Sequence, residues 1–336
     1  MHDLRKPYRN ILVIKPGAVG DLLQMTPVFR ALKEYSPGSV ITLMVGSKTT
    51  AALFRNDPHV GETIVFDRNG RHRTLSSQLK LWRTLHSRCY DLVLNFQRSN
   101  VRAWFFAMAA FPCRVLVYHK ARGRTVHAVV NYLETLSPLG ITSADTRLEL
   151  GLDDESRAFA RDFFFQQGLD GAPIVALNPG ATHIVNRWPA ARFAELADLI
   201  AERLSGKTII IGGPADVPLG EEIRALSRSR PLSVAGKTDL LQLGAVLEKC
   251  RVLVSGDTGP LHLATAVRTK TIALFGAADP ARTGPVGNGH AVIQAEGVAC
   301  LPCRSRACGN PVYQECMEMI TADRVADAVA AAMNES

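Results

Sequence analysis

The sequence predicts an α/β protein of two Rossmann-like domains, each built on a parallel sheet. Three observations carry this reading. Short β-rich runs alternate with helical stretches along the whole chain. Several of these runs are continuously apolar rather than alternating, as strands covered on both faces are. A cluster of turn formers, Gly168-Leu169-Asp170-Gly171-Ala172-Pro173, interrupts the alternation near mid-chain. A chain of 336 residues is long enough for about two ordinary cores. The first domain is therefore placed at 1–168 and the second at 169–336.

In the first half, Ile, Leu and Val runs predict strands at 11–15, 40–45, 63–66, 92–95 and 115–118. In the second half they predict strands at 174–177, 208–211, 232–234, 252–254 and 271–275. A polar and aromatic helix at 153–167 leads into the mid-chain turn, and a last helix at 322–333 fits either domain.

Composition places the chain among globular proteins, with 47% hydrophobic and 21% charged residues. No segment approaches the roughly 18 apolar residues of a membrane span. The first residues lack a secretory apolar region, so a cytoplasmic protein is expected. Charge is uneven. Residues 68–124 hold ten arginines and two lysines against one acid, Asp91, for +11 in a chain whose total is +8. Such a one-sign block points to an anionic partner, with a merely solvated surface as the alternative. Residues 103–111, Ala-Trp-Phe-Phe-Ala-Met-Ala-Ala-Phe, could meet a membrane interface, although burial is the commoner fate of such a run.

The strongest motif is Ser255-Gly256-Asp257-Thr258-Gly259-Pro260-Leu261-His262. It turns from an apolar strand into a helix opened by Pro260, which needs no N–H there. The free N–H groups and the positive end of the helix dipole make a phosphate site. Lys15-Pro16-Gly17-Ala18-Val19-Gly20-Asp21 joins the first strand to the first helix. Gly17 and Gly20 permit tight turning and close approach. Asp21 reads equally as a helix N-cap or as a carboxylate available as general base. Asn178-Pro179-Gly180-Ala181-Thr182 and Asn186-Arg187-Trp188-Pro189 supply donors before a helix near Pro189. Trp188-Pro189 is most simply a packing anchor and helix start. Gly212-Gly213-Pro214-Ala215-Asp216 is a strand-end turn whose acid could accept from ribose hydroxyls.

Taken in order, P-G-x-x-G-D, N-P-G-A, R-W-P, G-G-P and D-T-G-P-x-H-L-A resemble glycosyltransferase family 9, the ADP-heptose:lipopolysaccharide heptosyltransferases. The resemblance runs from Asn10 to Ala330. It implies a GT-B fold, with nucleotide-sugar on the C-terminal domain and acceptor on the N-terminal one. It implies that Asp21 is the general base and that Thr182 and residue 186 contact the diphosphate. Asp216 would contact the nucleoside, and Asp257, Thr258, Gly259 and His262 the diphosphate and donor sugar. The implied reaction is inverting heptosyl transfer from ADP-heptose to the lipopolysaccharide inner core. The implied acceptor is lipid-linked and anionic, at the cytoplasmic face of the inner membrane. Arg98, Arg122 and Arg124, with the Gly17–Gly20 loop, suit its phosphates. Where the family commonly has Lys, this chain has Asn186, which brings no charge, and Arg187 is adjacent. The proposed donor site has no D-x-D-type metal motif, so metal-independent chemistry is expected; separately, the protein is expected to be a monomer.

Cys300, Cys303, Cys308 and Cys316 are spaced C-x2-C-x4-C-x7-C. A cytoplasmic setting disfavours disulfides, leaving two readings: structural zinc or an iron–sulfur cluster, or reduced thiols in a surface lobe. Cys89, Cys113 and Cys250 fall in or beside apolar runs and are expected in the core. Three other readings are another GT-B transferase with a different donor, a nucleic-acid-binding protein, and a cysteine-cluster redox protein. Against the second, no recognised nucleic-acid motif is present.

Overall fold

A computed structural model describes residues 8–97 and 101–334. The chain divides into two compact units, the first ending at Gly151 and the second starting at Leu152. The first holds β1 (Asn10–Ile14), β2 (Val40–Val45), β3 (Glu62–Val65), β4 (Leu92–Asn95) and β5 (Arg114–Val117). They form a parallel sheet ordered β3-β2-β1-β4-β5. The second holds β6 (Ile174–Asn178), β7 (Lys207–Ile210), β8 (Leu232–Ser233), β9 (Val252–Gly256), β10 (Lys270–Phe275) and β11 (Ala291–Gln294). Its parallel sheet is ordered β11-β10-β9-β6-β7-β8. Each sheet reverses its direction of growth once, between β1 and β4 in the first and between β6 and β9 in the second. The C-terminal ends of the strands flanking such a reversal splay their loops apart, and ligands bind there.

The central strands are buried on both faces, as their unbroken apolar runs require. Leu12 and Val93 pack with Leu85 and Phe106 in the first unit. Val175 and Val254 pack with Leu196 and Val325 in the second. Helix starts carry local signals: Thr74 accepts from Ser77 N–H at 3.3 Å and Asp153 from Ser156 N–H at 2.8 Å. The last helix, Ala322–Asn334, packs on Ala190–Leu204 of the second unit.

The division lies at Gly151, not at the turn formers near residue 170. The helix Asp154–Gln166 packs on Leu240–Glu248 and so belongs to the second unit. Upstream, Arg30 ties the connecting segment to the first unit, pairing with Asp145 at 3.1 Å and Glu149 at 2.6 Å. Gly151 itself passes so close to Asn56 that a Cβ would lie 2.1 Å from the Asn56 carbonyl oxygen.

β11 is absent from the sequence prediction because it is short and lies at a sheet edge with Val292 exposed. Of the cysteines expected in the core, only Cys250 is buried; Cys113 is half-buried and Cys89 is exposed at a turn with φ 50°. Residues 103–111 are neither wholly buried nor wholly exposed. Ala103, Phe106 and Ala107 face the core, while Trp104, Met108 and Phe111 are exposed.

Candidate active site

In the first unit the loop after β1 makes a tight turn, with Gly17 N–H donating to the Lys15 carbonyl at 2.8 Å. It enters the short helix Val19–Leu23, whose N-cap is Ala18. Asp21 is therefore not the cap; it stands in the first helical turn with its side chain 45% exposed. Gly20 is inside that helix and buried, so only Gly17 serves the turn. Tyr132, from the helix Ala128–Leu133, donates to Asp21 Oδ1 at 3.1 Å. The buried Lys15 donates to the Tyr132 hydroxyl at 3.1 Å, with its Nζ 3.7 Å from the same carboxylate oxygen. Burial pulls the Lys15 ammonium below its ordinary range, and the Asp21 charge opposes that pull.

Also in the first unit, a cavity of about 560 Å³ is lined by His119, Lys120, Arg122, Arg124, Asn131 and Glu134, among others. Asn131 shapes it: its Oδ1 accepts from Ala121 N–H at 2.9 Å and from the Tyr118 hydroxyl at 3.1 Å. Arg124 is paired with Glu134 at 2.6 Å. Arg98 lies outside the described residues.

In the second unit a cavity of about 420 Å³ opens where β6 and β9 end. Thr182, Arg187, Asp216, Thr258 and Gly259 line it, as the sequence motifs lead one to expect. Asn178, at the end of β6, holds the turn in place. Its Nδ2 donates at 2.9 Å to Ser255 Oγ and at 2.9 Å to Thr258 Oγ1. Thr258 is the N-cap of the helix Gly259–Ala266, but its side chain bonds into this cluster rather than capping. Pro260 has no N–H, and that of Leu261 turns back to the Thr258 carbonyl at 3.2 Å. The main-chain donors left to the turn are thus Thr258 and Gly259, fewer than the motif implies. Arg187 curls back, donating from Nε and Nη2 to the Ala181 carbonyl, both at 3.1 Å.

Asp216 is packed, not merely exposed at a turn. Its Oδ2 accepts from Gly213 N–H at 2.9 Å. A Cβ on Gly180 would come within 2.5 Å of its Oδ1, and one on Gly212 within 2.8 Å of its own Cβ. The glycines of N-P-G-A and G-G-P are therefore the bed on which this carboxylate lies. Three donor-site candidates lie outside the cavity lining. The Asn186 side-chain oxygen is buried, and its carbonyl presses on Gly256, where a Cβ would be only 2.7 Å away. His262 is buried with Nε2 3.9 Å from Asp257 Oδ1, and Asp257 Oδ2 accepts from Thr283 at 3.0 Å. Trp188 is buried and donates to the Ile320 carbonyl at 2.9 Å, an anchor as expected.

Sequence reasoning missed Thr238, Asp239, Leu240 and Leu243, which form another wall of this cavity. The available signal was the capping box of Asp239 and Gln242, which starts a helix at a strand end.

The four clustered cysteines line a third cavity, of about 610 Å³. Cys308 Sγ accepts from Gln314 N–H at 3.3 Å and Cys300 Sγ from Asn310 at 3.7 Å. Burial, with the other three thiols nearby, pushes the Cys316 thiol up. Among the described residues, no group of three or more His, Cys, Asp or Glu is arranged to hold a metal ion. The lobe touches the donor side through Gln314, which donates to the Ile184 carbonyl at 2.6 Å.

Comparisons with known proteins agree with this architecture. The family model described as "Glycosyltransferase family 9 (heptosyltransferase)" matches residues 78–314. The lipopolysaccharide core heptosyltransferase OpsX of Haemophilus influenzae is 26% identical over 299 residues, spanning 83% of this chain and 82% of that protein. Lipopolysaccharide heptosyltransferase 3 of Escherichia coli is 28% identical over 289 residues, spanning 77% of this chain and 80% of its own length. The crystal structure of a family 9 glycosyl transferase from Veillonella parvula superposes with a TM-score of 0.88 at 26% identity, covering 98% of this chain and 99% of that one. The fold class is GT-B, with two parallel-sheet Rossmann-like units, and the chain belongs to glycosyltransferase family 9, the heptosyltransferases.

Proposed function

We propose that this enzyme transfers heptose, with inversion, from ADP-heptose to a hydroxyl of the lipopolysaccharide inner core. The names of the related enzymes support the acceptor class, and the observation that carries the donor reading is the cavity at the β6/β9 reversal. There Thr258 and Gly259 present main-chain donors beside Thr182 and Arg187, a set suited to a diphosphate. Leu240 and Leu243 offer an apolar wall to a base, and Asp216 accepts from ribose. The second unit thus takes the donor and the first the acceptor.

In the reaction the acceptor hydroxyl oxygen bonds to the anomeric carbon as its proton passes to Asp21. The bond from that carbon to the diphosphate breaks, and its electron pair leaves with the nucleoside diphosphate. Charge developing on the leaving oxygen meets Arg187, Thr182 and the amides of Thr258 and Gly259. One preorganised donor of this kind is typically worth about 3 kcal/mol, so departure without a metal is reasonable. The basic cavity holding Arg122 and Arg124 receives an anionic group of the acceptor.

The test is a thermal-shift screen of nucleotide-sugars. ADP-heptose at a hundred times its dissociation constant should stabilise the protein by about 2.7 kcal/mol. That corresponds to a rise of about 5–10 °C. A protein indifferent to every nucleoside diphosphate sugar refutes the donor reading, and a preference for another sugar replaces ADP-heptose.

A lipid-linked acceptor calls for contact with the cytoplasmic face of the membrane, and one face of the first unit suits it. On the helix Val101–Met108 and just beyond it, Val101 (82% exposed), Trp104 (39%), Met108 (69%) and Phe111 (75%) recur at helical spacing. The neighbouring helix Leu75–His86 adds exposed Leu75, Leu79, Lys80 and Arg83. Among the described residues, no helix is long and apolar enough to cross a membrane. Sedimentation with phosphatidylglycerol vesicles should exceed that with phosphatidylcholine vesicles, and Met108→Glu with Phe111→Glu should weaken it about ten-fold or more. Equal sedimentation of variant and wild type excludes this face.

A further inference from the structure

We propose that Tyr132 and Lys15 are positioning residues that hold one oxygen of Asp21 and leave the other to take the acceptor's proton. This rests on the reading of Asp21 as general base. The three side chains come from separate segments of the first unit: the loop after β1, the short helix Val19–Leu23 and the helix Ala128–Leu133. They form a chain of donors, in which Lys15 Nζ donates to the Tyr132 hydroxyl and that hydroxyl donates to Asp21 Oδ1, each at 3.1 Å. Lys15 also stands 4.9 Å from the Tyr132 ring centroid, so it is held by the ring as well as by its hydroxyl.

The phenol cannot swing away. Tyr132 is buried, with Phe96 edge-on at 5.6 Å and Tyr118 at 5.2 Å between ring centroids. Both named contacts fall on Oδ1. On the side of Oδ2 stands Gly17, where a Cβ would already lie 3.4 Å from that oxygen and 3.2 Å from the Asp21 Cβ. A larger residue would crowd the oxygen that the acceptor must reach. The carboxylate is thereby oriented, with one oxygen engaged inside the protein and the other kept clear.

The ionisable groups around the carboxylate are Lys15, Tyr132 and, through Tyr132, Tyr118 at the end of β5. Burial, and then the nearby Asp21 charge, raise the Tyr132 hydroxyl, which therefore keeps its proton and stays a donor. That proton is thus always available to Asp21 Oδ1.

Tyr132→Phe removes one oxygen and leaves the packed ring, so the fold should persist. In the full-length enzyme its kcat should fall about ten-fold while affinity for the nucleotide-sugar is unchanged. Lys15→Met, close in volume, should lower kcat in the same way, again with donor affinity unchanged. Adding Tyr132→Phe to Asp21→Asn should cost nothing further, because the positioned group is gone. If Asp21→Asn is inactive but both single variants keep the wild-type kcat, positioning is refuted and the base reading stands. Active Asp21→Asn sinks both. A loss in Tyr132→Phe that is matched by weaker donor binding, or by a lowered melting point, also overturns the proposal.

Discussion

Replacing Asp21 with Asn is expected to reduce turnover by about a hundred-fold or more while leaving nucleotide-sugar affinity and melting temperature at wild-type values. The amide has the same shape and can still accept from Tyr132 at Oδ1, so the local structure has no reason to change. What is lost is the proposed capacity to take a proton from the attacking hydroxyl. Asp21 is well placed to show this separation, because its side chain is half-exposed and no cavity lining of the second unit includes it. Steady-state kinetics beside ligand-induced thermal shifts would measure both quantities. Turnover within a few-fold of wild type in a folded, donor-binding variant would remove Asp21 from the mechanism.

Trp188→Ala should give the largest loss of stability. The indole is buried, meets Phe193 edge-on at 4.8 Å between ring centroids, and donates to the Ile320 carbonyl. Truncation leaves a cavity and a carbonyl without its donor, and large-to-small changes of this kind cost about 3–5 kcal/mol. The second unit should therefore melt at least about 6 °C lower. Trp188→Phe, which refills most of the volume but not the hydrogen bond, should fall between. Because Arg187 is the preceding residue, donor affinity should weaken as well. A Trp188→Ala melting point within 2 °C of wild type, read by calorimetry with about that resolution, would contradict the anchoring role.

What could be read from the residues alone depended on how local the cause was. The central strands β1, β2, β4, β6, β7, β9 and β10 were legible because a strand covered on both faces writes its burial directly as an apolar run, and the edge strands β3, β5 and β8 through their Ile, Leu and Val residues. β11, a four-residue edge strand with Val292 exposed, was not. The mid-chain turn at 168–171 is real, but it ends a helix rather than a unit: Gly168 and Gly171 both have positive φ. The true division depends on Arg30 reaching Asp145 and Glu149, more than a hundred residues away, and nothing local records that. The donor motifs were legible as a set, because each lies at a strand end. Their finer geometry was not. Nothing in Asn186 itself says that its carbonyl must lie against Gly256, and nothing in Tyr132 says that it reaches Asp21, 111 positions earlier. The face at Trp104, Met108 and Phe111 shows the same limit, since a helix with apolar residues all round does not disclose which stripe the core takes.

The clip made by Asn178 has a thermodynamic corollary. One amide nitrogen on the end of β6 grips hydroxyls at positions 255 and 258, so the loop proposed to meet the diphosphate is spliced to its neighbouring strand before any ligand arrives. Its rigidity is acquired during folding, and association then has little disorder left to remove at that end of the ligand. Selectivity there becomes a matter of fit to a finished mould, and a ligand of the wrong length cannot be accommodated by slack.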